Sequence, residues 1–137
     1  MKMKADAFKA AADKLFLRKI YSDGDVYTIE KVVYANGRWF DKTACESITN
    51  RIFIDDFFEY DSIDELRECG VLIAEIWVSR LKAEYSDKSF MVFLTLNEGD
   101  SEFPFVSSTL RFCLKRDDEP PLTDEQTDGK TFFVWTT

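Results

Sequence analysis

Phe8, Ala11, Ala12, Leu15, Phe16 and Ile20 recur at three- and four-residue spacing, with Lys9, Asp13 and Arg18 between them. That period predicts an amphipathic helix over about 5–20 with one core-facing stripe. Ser22-Asp23-Gly24-Asp25 then supplies turn chemistry that ends it. The same spacing returns in Leu66, Gly70, Ile73, Trp77, Leu81 and Tyr85, widened by Leu72 and Ile76, and predicts a longer helix over about 63–85. Its start is marked by Ser62-Ile63-Asp64-Glu65. In this capping box the Ser62 hydroxyl accepts the Glu65 amide while the Glu65 side chain reaches back to the cap. Asp64 and Glu65 also suit the positive end of the helix dipole.

Strand patterns fill the rest. Residues 26–34 and Trp39-Phe40 flank Asn36-Gly37, a pair that tolerates positive φ at both turn positions, and so predict a β-hairpin. In residues 51–60, RIFIDDFFEY, β-branched and aromatic residues favour a strand, with a short helix as the rival. Asp55-Asp56 in its middle implies an edge, a bulge or an early end. Residues 90–96 are apolar at nearly every position, as in a strand covered on both faces. Residues 106–115 alternate, with Val106, Ser108, Leu110, Phe112 and Leu114 on one side and Ser107, Thr109, Arg111, Cys113 and Lys115 on the other. That reads as a half-exposed strand. Turn residues occupy 97–104, residues 116–129 form an acidic loop with two adjacent prolines, and 131–136 make a last strand. The expected fold is α+β: a single domain over 1–137, with one twisted antiparallel sheet of five to six strands and both helices packed on one face.

The aromatic pairs Trp39-Phe40, Phe57-Phe58 and Phe132-Phe133 put a ring on each face of any strand that holds them. Two helices cover one face only. The other is then expected to close over a pocket, to lie under loops, or to meet a partner or a second copy, because an open aromatic face exceeds the apolar patch of an ordinary soluble monomer.

Composition narrows the chemistry. The 137 residues contain 18 Lys and Arg, 26 Asp and Glu and no histidine, for a net charge of −8. An acidic chain does not bind a phosphate backbone, so direct nucleic-acid binding is not expected. Without histidine, Ser-His-Asp and Cys-His catalysis and the common zinc sites are excluded. A hydrophobic content of 45% argues against disorder. Cys45, Cys69 and Cys113 show no metal-like spacing and read as buried reduced thiols. No apolar run approaches a membrane span, and the first 20 residues lack a signal-peptide pattern, so a cytoplasmic location without membrane contact is expected. No phosphate-cradling glycine loop or calcium loop occurs. Neither a catalytic residue, a metal ligand nor a cofactor is therefore assigned.

The charge is uneven. Residues 1–20 carry +4, residues 55–68 carry −6 and residues 116–128 carry −5. The first acidic run is interleaved with aromatics, which suits steering by charge and anchoring by rings. The partner-binding candidates are Asp55, Asp56, Phe57, Glu59, Tyr60 and Asp61, with Asp117, Asp118, Glu119, Asp124 and Glu125. Helix capping and solubility offer the plainer account of the same carboxylates.

By element order alone (helix, strands, helix, strands) the chain is similar to type III secretion chaperones. That resemblance implies a dimer holding an extended peptide, although the chain ends in FFVWTT where those chaperones usually have a final helix. The order also looks like the cystatin/NTF2-like cone, which implies a small-molecule pocket for binding or carboxylate-based catalysis. The leading expectation is a non-enzymatic interaction protein. It would be an acidic inhibitor or immunity-type antagonist that occludes a basic site on a toxin, nuclease or nucleic-acid-binding protein, with a homodimer through the sheet face as a further expectation.

Overall fold

β6 (Phe90–Asn97) is the centre of the main sheet, and every residue from Val92 to Leu96 is buried. We describe it from a computed structural model covering residues 2–35, 39–99, 106–123 and 130–137, without the side chains of residues 131 and 132. β7 (Ser107–Leu114) and β8 (Lys130–Thr136) flank β6, and β4 (Arg51–Phe53) pairs with the far side of β7. All three pairings are antiparallel, in the order β4-β7-β6-β8. The register sets Phe90, Val92, Leu94, Leu110, Phe112 and Ile52 on one face. There α3 (Ile63–Glu84) covers them, and α1 (Ala5–Phe16) packs on α3 and on the edge formed by residues 3–4 and 58–59.

The second helix forms as its cap and periodicity predict. Ser62 Oγ accepts the Glu65 amide at 3.1 Å. Glu65 Oε1, however, reaches the amide of Asp61 at 3.2 Å, one residue before the cap. Gly70 is where this helix comes closest to the sheet: a Cβ there would stand 3.0 Å from Leu94 Cδ1 and 3.2 Å from Ile54 Cδ1. Trp77 joins the helices, its indole N–H donating to Phe16 O at 3.1 Å, so a carbonyl at the end of α1 is satisfied from α3.

Several expectations need correction. The fold is α+β, but instead of one sheet of five to six strands the described residues form a four-stranded sheet and two small two-stranded ones. The first helix stops at Phe16 rather than near residue 20. The turn residues 22–25 do not end that helix. They sit in a hairpin of β2 (Tyr21–Asp23) and β3 (Val26–Thr28), with Gly24 at φ 61° in the two-residue loop. Residues 36–38 lie outside the described residues, and 29–35 form no strand. In 51–60 the strand does end early: β4 gives way to a 3₁₀ turn at Ile54–Asp56, and β5 (Phe58–Glu59) pairs in parallel with β1 (Met3–Lys4). β7 is buried from Ser108 to Cys113, not half-exposed, since Thr109, Arg111 and Cys113 are covered on the face away from α1 and α3.

A third helix, α2 (Lys42–Thr49), packs beside β3 and β7 rather than with the other two. Asp41 caps it, accepting the Ala44 amide at 2.7 Å. No helix among the described residues is long and apolar enough to cross a membrane.

Candidate functional site

β4 spans three residues of an eight-residue neighbour, so β7 is left with unpaired backbone beyond both ends of the pairing. Buried N–H and C=O groups need partners, and side chains supply them. At one end Asp55 Oδ1 accepts the Ser108 amide at 2.8 Å. At the other, Glu46 Oε1 accepts the Leu114 amide at 2.8 Å, and Asn50 Nδ2 donates to Phe112 O at 3.2 Å. Glu46 and Asn50 turn equally to β3. Glu46 Oε2 accepts the Tyr27 amide at 2.7 Å, Asn50 Nδ2 donates to Tyr27 O at 2.8 Å and Asn50 Oδ1 accepts the Ile29 amide at 2.9 Å.

Arg116 completes this cluster. Its Nη1 donates to Glu46 Oε1 at 2.6 Å and its Nη2 to Asp25 O at 2.7 Å. Both partners are out of water: Glu46 is fully buried and the Arg116 side chain is 5% exposed. Burial pushes the Glu46 carboxyl above the ordinary carboxylate range, and the hydrogen bonds from Arg116, Tyr27 and Leu114 offset only part of that. Burial would lower Arg116, but the hydrogen bond and charge of Glu46 outweigh it and the guanidinium stays more firmly protonated than usual. Around the rim, Glu119 Oε1 accepts from Thr43 N and Thr43 Oγ1, both at 2.7 Å, and Lys42 Nζ lies 2.8 Å from Asp25 Oδ1. The Lys42 hydrogen bond pulls Asp25 below its usual range. Glu46 thus holds three hydrogen bonds at its two oxygens, which suits it to joining elements rather than to moving protons.

The sequence-predicted binding residues divide. Asp55 and Glu119 are structural acceptors, as just described. Phe57 packs edge-to-face on Phe16 with centroids 5.0 Å apart, and half-buried Tyr60 donates its hydroxyl to Val106 O at 3.3 Å. Both rings are half-buried against the core. Asp56, Glu59, Asp61, Asp117 and Asp118 are exposed, and Asp124 and Glu125 lie outside the described residues. The two acidic runs are not brought together. Asp55 sits at the Ser108 end of β7 and residues 117–119 follow its Leu114 end, about 20 Å away at ~3.3 Å per residue.

What the fold does bring together is a different set. The β1–β5 pair places the start of α1 beside the start of α3, so that Asp6, Glu59, Asp61 and Glu65, with Lys4, line a groove of about 320 Å³. Asp6 and Glu65 lie in first helical turns, where the dipole favours a carboxylate. The side chains of Asp6, Glu59 and Asp61 hold no hydrogen bond or ion pair among the described residues. No group of acidic or cysteine side chains among those residues is placed to hold a metal ion. Asp6 was missed because it sits in a stretch whose net charge is +4.

All three cysteines are buried. Burial pushes the Cys69 thiol up to about 11 and that of Cys113 up to about 12, so neither is a thiolate nucleophile at neutral pH.

Residues 1–131 match the family described as the uncharacterized protein PM0498 family, and the chain belongs to it. No curated protein and no solved structure matches the chain.

Proposed function

We propose that this member of the PM0498 family is a non-enzymatic protein-interaction module that takes a basic segment of a partner protein in the groove of Asp6, Glu59, Asp61 and Glu65. The observation that carries the reading is the convergence, from α1, β5, the turn after it and α3, of carboxylates of which three hold no side-chain hydrogen bond or ion pair among the described residues. Such a groove attracts Lys and Arg side chains over a distance of about 10 Å at ordinary salt and speeds association. In the version we favour, the module is a cytoplasmic antagonist that occludes a basic site on its partner. A triple variant, Asp6→Lys, Glu59→Lys and Asp61→Lys, tests it against a synthetic Lys/Arg-rich peptide by fluorescence anisotropy at two salt concentrations. The native chain binds, more weakly at the higher salt, and the variant loses about tenfold or more in affinity. Equal binding by a folded variant overturns the reading.

A second reading is favoured by β8. It forms one edge of the sheet, with Phe133 and Val134 each 47% exposed on opposite faces. An apolar edge strand of this length is a template for another strand, and a second copy of β8 would pair with it antiparallel. Sedimentation of the native chain beside Val134→Lys decides. A native dimer that the substitution dissociates supports this contact, and a native monomer removes it.

A further inference from the structure

We propose, building on the acidic groove read above as a docking site, that the partner segment is an amphipathic helix whose apolar stripe lies along the outer side of the α1–α3 pair. The two helices start side by side at the acidic groove and still touch at Phe16 and Trp77, so they run parallel. Beyond the ion pair of Lys9 and Glu68, at 3.4 Å, the valley between them opens again. There Asp13 and Leu17, with Leu72, Ile76, Ser79 and Ala83 of α3, line a shallow groove of about 690 Å³. On α1 this side carries Asp6, Lys9, Asp13 and Leu17 at three- and four-residue steps, and on α3 it runs back from Leu72 through Glu68 to Glu65 in the same way. Both grooves therefore lie on one side of the helix pair. From Glu65 to Ala83 the surface is about 27 Å long at ~1.5 Å per residue.

The floor of the groove sets the shape of its occupant. Leu17 is 51% exposed and Leu72 and Ile76 are half-buried, while the core is built on Leu66, Ile73, Trp77 and Leu81 of another side of α3. Leu72, Ile76, Ser79 and Ala83 are four, three and four residues apart, the spacing of a seam on which one helix packs against another. Ser79 and Ala83 are small and exposed, so a second helix can come close. A strand does not suit this side, since the backbone groups inside both helices are bonded to their own turns. The rim sets the charge. Asp13, Glu75 and Glu84 stand against Arg80 alone in the lining, and Arg80 Nε is held by Glu84 Oε1 at 2.8 Å. Asp13 and Glu75 are exposed and hold no side-chain hydrogen bond or ion pair among the described residues. Lys and Arg flanking the apolar stripe of a docked helix meet these carboxylates, whereas a second copy of this chain brings two acidic rims together.

Two synthetic peptides of about 18 residues, the length of that surface in helical form, test the proposal. One repeats Leu at three- and four-residue steps with Lys and Arg between, and the other has the same composition in scrambled order. Fluorescence anisotropy with the full chain is expected to show the amphipathic peptide bound about tenfold or more tighter than the scrambled one, with a gain of helical circular dichroism on binding. Leu17→Gln and Ile76→Gln keep the charge and remove apolar contact, so each lowers affinity for the amphipathic peptide about tenfold. Leu17 is exposed, so its variant keeps the fold if Ile76→Gln does not. Equal binding of the two peptides, both lost in the Asp6→Lys, Glu59→Lys, Asp61→Lys variant, overturns the helix and leaves the acidic groove standing. Binding of neither peptide overturns both readings. Unchanged affinity in folded Leu17→Gln overturns the helix, as does self-association of the native chain that Leu17→Gln abolishes, which assigns the groove to a second copy.

Discussion

Glu46 of α2 and Asn50, which caps the C-terminal end of that helix, stand one turn apart and together occupy the position of a strand between β3 and β7. Five hydrogen bonds from these two side chains reach the backbones of Tyr27, Ile29, Phe112 and Leu114. A strand in this place would have donors and acceptors in fixed alternation. The carboxylate and the amide reproduce that alternation from a helix: Glu46 accepts on both sides, and Asn50 accepts once and donates twice. The arrangement ties the β2–β3 hairpin to the main sheet, and Arg116 neutralises the one charge it buries.

Asn50→Asp separates this role from simple packing. The carboxylate can still accept the Ile29 amide, but it loses both donors and faces the carbonyls of Tyr27 and Phe112. Unsatisfied buried polar groups cost about 1–3 kcal/mol each. Asn50→Asp is therefore expected to be more destabilising than Asn50→Ala in urea unfolding, although it is closer to the native shape.

Glu46→Gln replaces one accepting oxygen by a donor, which then faces the Tyr27 amide or the Leu114 and Arg116 donors and leaves buried groups unpaired, a change that costs about 1–3 kcal/mol. Its pH dependence has a definite sign. The folded-state carboxyl lies above the ordinary value of 4.5. Between that value and the raised one, the native state binds more protons than the unfolded state, so the contribution of Glu46 to stability falls as pH rises. Gln does not titrate. The cost of the substitution should be greater near pH 4.5 than at pH 7, measured as the difference in urea-unfolding free energy at each. A cost that grows toward neutral pH would show that Arg116, rather than burial, governs Glu46.

These residues also show where the sequence is legible. α3 could be read because Ser62, Glu65 and an apolar stripe all signal one helix, and β6 because its covered faces are apolar. α2 could not, since its buried residues are Thr43, Cys45, Glu46 and Ser47. Hydrophobic periodicity does not register a helix that buries polar groups against backbone. β7 was misjudged for the same reason: Thr109 and Arg111 alternate like solvent-facing residues, yet both are buried. The hairpin at Gly24-Asp25 was read as a helix stop, because Ser22-Asp23-Gly24-Asp25 signals a turn without saying which elements it joins. For the groove, the acidic run pointed to Glu59 and Asp61, while the parallel β1–β5 pairing that adds Asp6 has no local signature.

Asp55 and Asp56 offer a test of neighbours with opposite roles. Asp55 accepts the Ser108 amide, whereas Asp56 is exposed. Asp55→Ala should cost about 1–3 kcal/mol by leaving that amide unpaired, and Asp56→Ala should stay within about 0.5 kcal/mol. Urea midpoints check both, and similar values would mean that water replaces Asp55 without loss.

Gly70 tests how closely α3 must approach the sheet. In an exposed helix, replacing glycine would gain about 1 kcal/mol of propensity. Here an added Cβ meets Leu94 at 3.0 and 3.1 Å and Ile54 at 3.2 Å, and both of those side chains are fully buried. Gly70→Val adds two methyl groups at that contact and a β-branched residue to the helix. It should destabilise by about 1–3 kcal/mol, as overpacking does. The compensating variant Gly70→Val with Leu94→Ala vacates volume where it is needed, so its loss should be less than the sum of the two single losses. Strict additivity in urea unfolding would place the strain somewhere other than the α3–β6 contact.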